Sequence, residues 1–254
     1  MSPSPPSSAR IYDYYLGGKD NSEADRQAAE QVLRQIPEAR FAARANRRFL
    51  VRAVQALAGL GVDQFIDLGT GLPTSPNVHE VARETLPDSK VLYVDNDPVV
   101  SAHNRALRST RDGILSLDMD IRNTDALPQD PDVRELLDFT RPVGVLMIAV
   151  VHLLSAGEAR AALDSVLRWL PDGGYLVLSA ATIDGMSDEQ IHEIADAYEN
   201  AELRTTGLTR SDFVHLFDGL DLLPPGITSL GKWRAKEPDP KSLACHCGVA
   251  RFTR

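Results

Sequence analysis

The sequence predicts an α/β fold: a doubly wound, mainly parallel sheet preceded by an N-terminal helical cap. Three observations carry it. From Gln64 onward, short apolar segments alternate with segments of helical periodicity, the order that builds parallel sheets. Val143 to Val151 is a continuous apolar run, as expected of a strand covered on both faces. Before residue 62 the periodicity is helical only.

Met1 to Ser8 is rich in Ser and Pro and reads as a short disordered tail. Residues 9 to 61 form the expected cap. Its first part, Ala9 to Asp20, leads three tyrosines into a Gly-Gly turn and a charged pair. Ser22 with Asp25 marks a helix start, and Pro37 ends that helix. A second helix runs from about Phe41 to Leu60, stopped by Gly59 and Gly61. In the domain from 62 to 254, strands are expected at Gln64 to Leu68, Lys90 to Val94, Ile114 to Leu117, Val143 to Val151 and Tyr175 to Ser179. Helices are expected at Asn77 to Leu86, Pro98 to Arg108, Asp130 to Leu137, Gly157 to Trp169, Asp188 to Asn200 and Thr209 to Phe217. Two late strands, near Ile227 to Trp233 and Cys245 to Phe252, close the sheet.

Composition narrows the function. The 254 residues carry a formal net charge of -9, which gives no basic footprint for nucleic acid and no polybasic membrane patch. No apolar run reaches the ~18 residues of a membrane span. Cys245 and Cys247 are too few for a disulfide framework and are read as thiols on opposite faces of a late strand; no metal site is expected. A reducing cytoplasm is the expected compartment. A homo-oligomer is compatible with all of this.

The chemistry is expected at the carboxyl ends of the strands, where open α/β sheets bind ligands. The first strand ends in Asp67-Leu68-Gly69-Thr70-Gly71, whose glycines let the backbone approach a ligand closely. The second runs into Asp95-Asn96-Asp97-Pro98. Asp95 lies 24 residues after Gly71, about where a ribose-binding acid belongs, and Asp97 reads as a helix cap. A nicotinamide dinucleotide would need a third glycine and a helix N-terminus facing its pyrophosphate. Pro73 stands two residues after Gly71 instead, and Asp67 would repel a pyrophosphate. A phosphate-free ligand bearing an ammonium and a sulfonium fits better, so an NAD(P)-dependent oxidoreductase is the weaker alternative.

Asp67-Leu-Gly-Thr-Gly, Asp95-Asn-Asp-Pro, Asp118-Met-Asp120-Ile-Arg and Leu170-Pro-Asp-Gly-Gly resemble successive motifs of class I methyltransferases that use S-adenosyl-L-methionine. Arg10-Ile-Tyr-Asp-Tyr-Tyr-Leu-Gly-Gly-Lys-Asp-Asn, Gly71-Leu-Pro-Thr and Asn77-Val-His-Glu-Val-Ala resemble, more narrowly, a bacterial methyltransferase family long carried as a domain of unknown function. The resemblance covers nearly the whole chain after residue 8. It implies a Rossmann-like, seven-stranded sheet, S-adenosyl-L-methionine as cofactor and a small-molecule methyl acceptor. Position by position, it implies that Asp67 binds the methionine end and that Gly69, Thr70 and Gly71 pack under the ligand. Asp95 would hold the ribose, Asn96 border the adenine, and Asp120 accept the adenine amino group beside the Ile121 backbone. Ala149 to His152 would face the sulfonium and the acceptor.

His152 is the candidate general base, since an imidazole suits proton removal near neutrality. A structural, hydrogen-bonded histidine is the alternative. In the N-terminal signature, Tyr12, Tyr14 and Tyr15 either pack the cap onto the sheet or form a lid. Tyr15 and Lys19 are placed at the cofactor, Lys19 meeting either the methionine carboxylate or an anionic acceptor. Arg44, Asn46 and Arg47 are further lid candidates. A non-catalytic cofactor sensor would share every one of these features.

Overall fold

The computed structural model describes residues 5–108, 113–200, 207–237 and 244–254. Residues 1–4 of the expected tail lie outside this set. Ser7 is already an N-cap: its side chain accepts from the Arg10 amide and starts α1 (Ser8–Leu16), a helix that the reading of residues 9 to 20 did not contain. Gly17, in the left-handed region at φ 85°, ends it.

α2 (Glu23–Gln35) begins with the capping box read from the sequence, Ser22 and Asp25 each bonding the other's backbone. α3 (Ala39–Gly59) is the long helix. Then follow β1 (Gln64–Leu68), α4 (Val78–Arg83), β2 (Lys90–Asp95), α5 (Pro98–Arg108) and β3 (Ile114–Asp118). A 3₁₀ segment, Ile121–Gln129, leads to α6 (Pro131–Leu136), β4 (Gly144–Ile148), a 3₁₀ turn at Val151–Leu153, α7 (Ala156–Trp169) and β5 (Tyr175–Ala181). α8 (Asp188–Asn200), α9 (Arg210–His215), β6 (Asp221–Leu222), β7 (Thr228–Ser229) and β8 (Cys245–Arg251) complete the order.

Among the described residues the sheet runs β3-β2-β1-β4-β5-β8-β6, with β7 also on β8. The first five strands are parallel and β8 is antiparallel to β5. It therefore has eight strands instead of seven. Pro224 and Pro225 remove two consecutive N–H donors, so one edge strand becomes the two pieces β6 and β7. The expected strand from Ile227 to Trp233 shrinks to Thr228–Ser229.

Alternation along the strands divides two cores. Phe65, Val91, Tyr93, Leu146 and Val177 pack with α3 residues such as Phe49, Ala53 and Leu57. Ile66, Leu92, Val145 and Leu176 face the opposite layer, with Leu163 and Val166 of α7. α3 thus belongs to the sheet's own core, whereas Ile11, Tyr15, Ala28 and Ala29 of α1 and α2 make a separate small cluster with Ala43. Cys245 and Cys247 are two residues apart on β8 and share one face, packing into the α3-side core. The placement on opposite faces was incorrect.

The signature around α1 is held by two buried charges. Arg10 Nε donates to Asp25 at 2.8 Å, tying α1 to α2. The Asp13 carboxylate accepts from the Asp20 amide at 3.1 Å and from Asn21 Nδ2 at 2.7 Å, closing the Gly-Gly-Lys-Asp turn. A Cβ on Gly18 would lie 1.9 Å from Asp13 Oδ1, so only glycine fits there. Gly18→Ala is expected to cost about 1–3 kcal/mol, read as a lower urea midpoint. Gly59→Ala, at a helical position with nothing within 4 Å of the added carbon, should be neutral or slightly stabilising. Equal effects of the two would contradict the packing described here.

Candidate functional site

A cavity of about 870 Å³ opens at the carboxyl ends of β1, β2, β4 and β5, beneath α1 and α3. Of the residues expected at the site, Asp67, Gly69, Thr70, Gly71, Asp95, Asn96, Asp120, Ile121, Ala149, His152 and Tyr15 all line it. Lys19 does not. α1 ends at Gly17 and the following turn folds back on Asp13, which leaves Lys19 exposed outside the cavity wall. Arg44 is likewise exposed on α3 and outside the wall, while its neighbours Asn46 and Arg47 line it.

The loop after β1 is drawn across the tip of β2. The amides of Gly69 and Thr70 both donate to Val94 O, at 2.8 and 3.1 Å. Gly69 has φ 70°, and a Cβ there would sit 2.5 Å from Val150 Cγ2, so glycine is required on both counts. Thr70 Oγ1 donates to Asp67 Oδ2 at 2.9 Å. Asp95 then fixes the far end of the loop: Oδ2 accepts from the Gly71 amide at 2.8 Å and Oδ1 from the Asp97 amide at 3.0 Å. Burial of Asp95 raises its carboxyl above the usual range, against the pull of those two amides; the charges of Asp97 and Asp67 add to the rise. Asp97 caps α5 through the Val99 amide at 2.8 Å.

Asp120 is clamped by Arg122, whose Nη2 lies 2.5 Å from Oδ2, and this guanidinium holds the carboxyl below the usual range. The same carboxylate caps the 3₁₀ segment through the Arg122 amide at 2.9 Å, and the Asn96 side chain also bonds it. One edge of Asp120 is therefore committed within the protein, which the sequence reading did not foresee.

At the end of β4, Ala149 adopts φ 54°, a conformation rare for any residue with a Cβ. Its amide donates to both Ser179 O (3.1 Å) and Ser179 Oγ (3.0 Å) on β5. Ser179 Oγ donates onward to Asn46 Oδ1 at 2.6 Å, Asn46 Nδ2 to Tyr12 Oη at 2.9 Å, and Tyr12 Oη to Ala43 O at 3.1 Å. This chain joins β4, β5, α3 and α1 along one wall of the cavity. Ser179 and Arg10 are cavity residues that sequence reasoning missed. A lone serine closing the apolar run of Leu176 to Leu178 was the available signal for the first. Arg10 Nη1 approaches Asp97 to 3.9 Å, linking α1 to the tip of β2.

His152 sits half-buried in the turn after β4. Burial pushes its pKa down to about 4, so the ring is neutral at pH 7.

The family model of S-adenosyl methyltransferases matches residues 1–253. The chain belongs to the S-adenosyl methyltransferase family. Its cofactor is S-adenosyl-L-methionine, and the strand order found here is that of a class I, Rossmann-like methyltransferase. Two crystal structures are similar over nearly the full length. A DUF574 family protein from Streptomyces avermitilis is 36% identical, with 97% of each chain covered and a TM-score of 0.90. A candidate methyltransferase from Thermobifida fusca is 35% identical, with 98% of this chain and 96% of that chain covered and a TM-score of 0.90. The plantazolicin methyltransferase BpumL, at 13% identity, 97% and 96% coverage and a TM-score of 0.57, shares the fold. No curated protein matches the chain. The comparisons give the oxidoreductase alternative no support. No helix among the described residues is long and apolar enough to cross a membrane.

The lowered pKa of His152 can be measured. Its imidazole signals, assigned by comparison with His152→Gln, should titrate near pH 4 and stay flat between about pH 8 and 6. The unfolded chain binds that proton near 6.5, so this residue removes stability as the pH falls from 6.5 toward 4 and has no effect above. A midpoint at 6.5 in the folded protein would contradict its burial.

Proposed function

We propose that this family member transfers the methyl group of S-adenosyl-L-methionine to a small molecule held in the same cavity. The observation that carries the proposal is the convergence of Asp67, Asp95 and Asp120, from three successive strand ends, on one chamber also walled by α1 and α3. The residues present suit this cofactor. The carboxylates favour a ligand bearing positive charge, and the glycine loop admits it without presenting a helix N-terminus to a pyrophosphate.

Asp95 would hold the ribose hydroxyls. Each of its oxygens takes one amide N–H and keeps a further lone pair for a ligand. Asp120, with Arg122 on one edge, would accept the adenine amino group beside Ile121, and Asn96 would border the ring. Asp67 would bind the methionine end over Gly69, Thr70 and Gly71. Tyr15 would cover the site. Bound there, the cofactor supplies an electrophilic methyl carbon on a cationic sulfur.

Ala149 and His152 would face the reacting end. A neutral imidazole with so low a pKa is a weak base. It can take a proton from an acceptor atom that turns acidic as its new bond to carbon forms, so alignment is the larger contribution.

Calorimetry tests the assignment. S-adenosylhomocysteine should bind and NADH should not. Asp95→Asn should weaken S-adenosylhomocysteine roughly tenfold or more, since an imperfectly paired ribose diol costs about 1–3 kcal/mol. An unchanged affinity, or a preference for NADH, would reject it.

A further inference from the structure

The cavity is larger than its cofactor-binding residues account for, and its two ends differ in chemistry. At about 870 Å³ it stands near the top of the roughly 300–1,000 Å³ range of small-molecule sites, leaving room for a second molecule. The acids cluster at the ends of β1, β2 and β3. The opposite end is walled by Ile36, Ala42 and Leu50 of the N-terminal helices and by Leu154, Ala181 and Met186.

Charges at that end are engaged elsewhere. Arg47 donates to Thr74 O at 2.8 Å and to Pro76 O at 2.7 Å. Asp13 binds its own turn, and Arg10, nearer the tip of β2, pairs with Asp25. Glu38 stands exposed at the mouth of α3. Cys245 is a neutral thiol, burial having pushed its pKa up to about 12. The polar groups that remain are uncharged hydrogen-bonding ones, those of Tyr12, Asn46 and Ser179. Among the described residues, the charges that line this end lie at its margin, Glu38 in solvent and Arg47 turned onto two backbone carbonyls, so an ion seated against the apolar wall would leave water with little compensation, which is costly.

We infer that the methyl acceptor is an uncharged, predominantly apolar molecule, seated between α3 and the ends of β4 and β5, with one polar group near the Tyr12–Asn46–Ser179 chain. The inference rests on the cofactor assignment above and adds the acceptor's class to it. The acceptor ring or chain lies against the alanine and leucine wall. The hydrogen-bonded chain orients its polar group without supplying charge.

The test uses the protein saturated with S-adenosylhomocysteine and three probes built on one ring system: naphthol, naphthoate and naphthylmethylammonium. Naphthol should bind at least roughly tenfold tighter than either ion. Ala42→Trp and, separately, Ala181→Trp fill the apolar end and should each abolish naphthol binding; S-adenosylhomocysteine titration reports whether each variant is folded. Comparable or tighter binding of an ionic probe would overturn the inference. So would failure of every probe to bind, or naphthol binding that survives in both folded variants. Failure of S-adenosylhomocysteine itself to bind the parent protein would reject the cofactor assignment, and this inference with it. Normal cofactor binding without a preference for naphthol rejects the acceptor class alone.

Discussion

The hydrogen bond from Ser179 to Asn46 joins the sheet to the N-terminal helices at the cavity wall. Ser179 is 1% exposed and Asn46 3%, so neither group has water as an alternative partner. Leaving either one unpaired would cost its full desolvation. The bond fixes α3 against the end of β5. Through the Ala149 amide it reaches β4, and through Tyr12 it reaches α1. The cavity exists because these elements are held at that spacing: α3 contributes to the sheet's core with one side and to the cavity wall with another. Arg10 makes a second tie at the opposite end, pairing with Asp25 and approaching Asp97 at the tip of β2. The N-terminal signature therefore fastens α1 to α2 and to the cavity wall.

Within that enclosure the strand tips carry strain and charge together. Gly69 and Gly71 take positive φ, and Ala149 does so despite its Cβ. Such conformations persist where surrounding bonds over-determine them. Here the double acceptance by Ser179 holds Ala149, and Asp95 holds Gly71. Asp95 has two duties, a loop clamp already met by the backbone and the ribose contact proposed for it. The two amides offset part of the burial of a carboxylate that is 8% exposed.

Much of this was legible in the sequence because it is written in local rules. The Ser22–Asp25 box and the Asp97 cap each satisfy helix amides within a few residues, so spacing alone reveals them. The acids at the strand ends were legible for the same reason. What escaped has both local and distant causes. α1 is not announced as a separate helix, because only Ser7 marks its start, ahead of the tyrosines and glycines. Lys19 was placed at the cofactor because its signature surrounds it, yet the Asp13 turn carries it outside. Arg122 and Asn96 hold one edge of Asp120, contacts that the motif does not announce. The edge strand divided at Pro224 and Pro225, and the two cysteines fell on one face because strand periodicity is two.

The central claim is that strand tips and N-terminal helices enclose one cofactor chamber, so that filling it stabilises both. Hydrogen–deuterium exchange with and without S-adenosylhomocysteine tests this most directly. Amides of residues 67–72, 95–97 and 120–122 should gain protection together with those of α1 and the start of α3, in one concerted response. Protection confined to the strand tips, with α1 exchanging as before, would contradict the account.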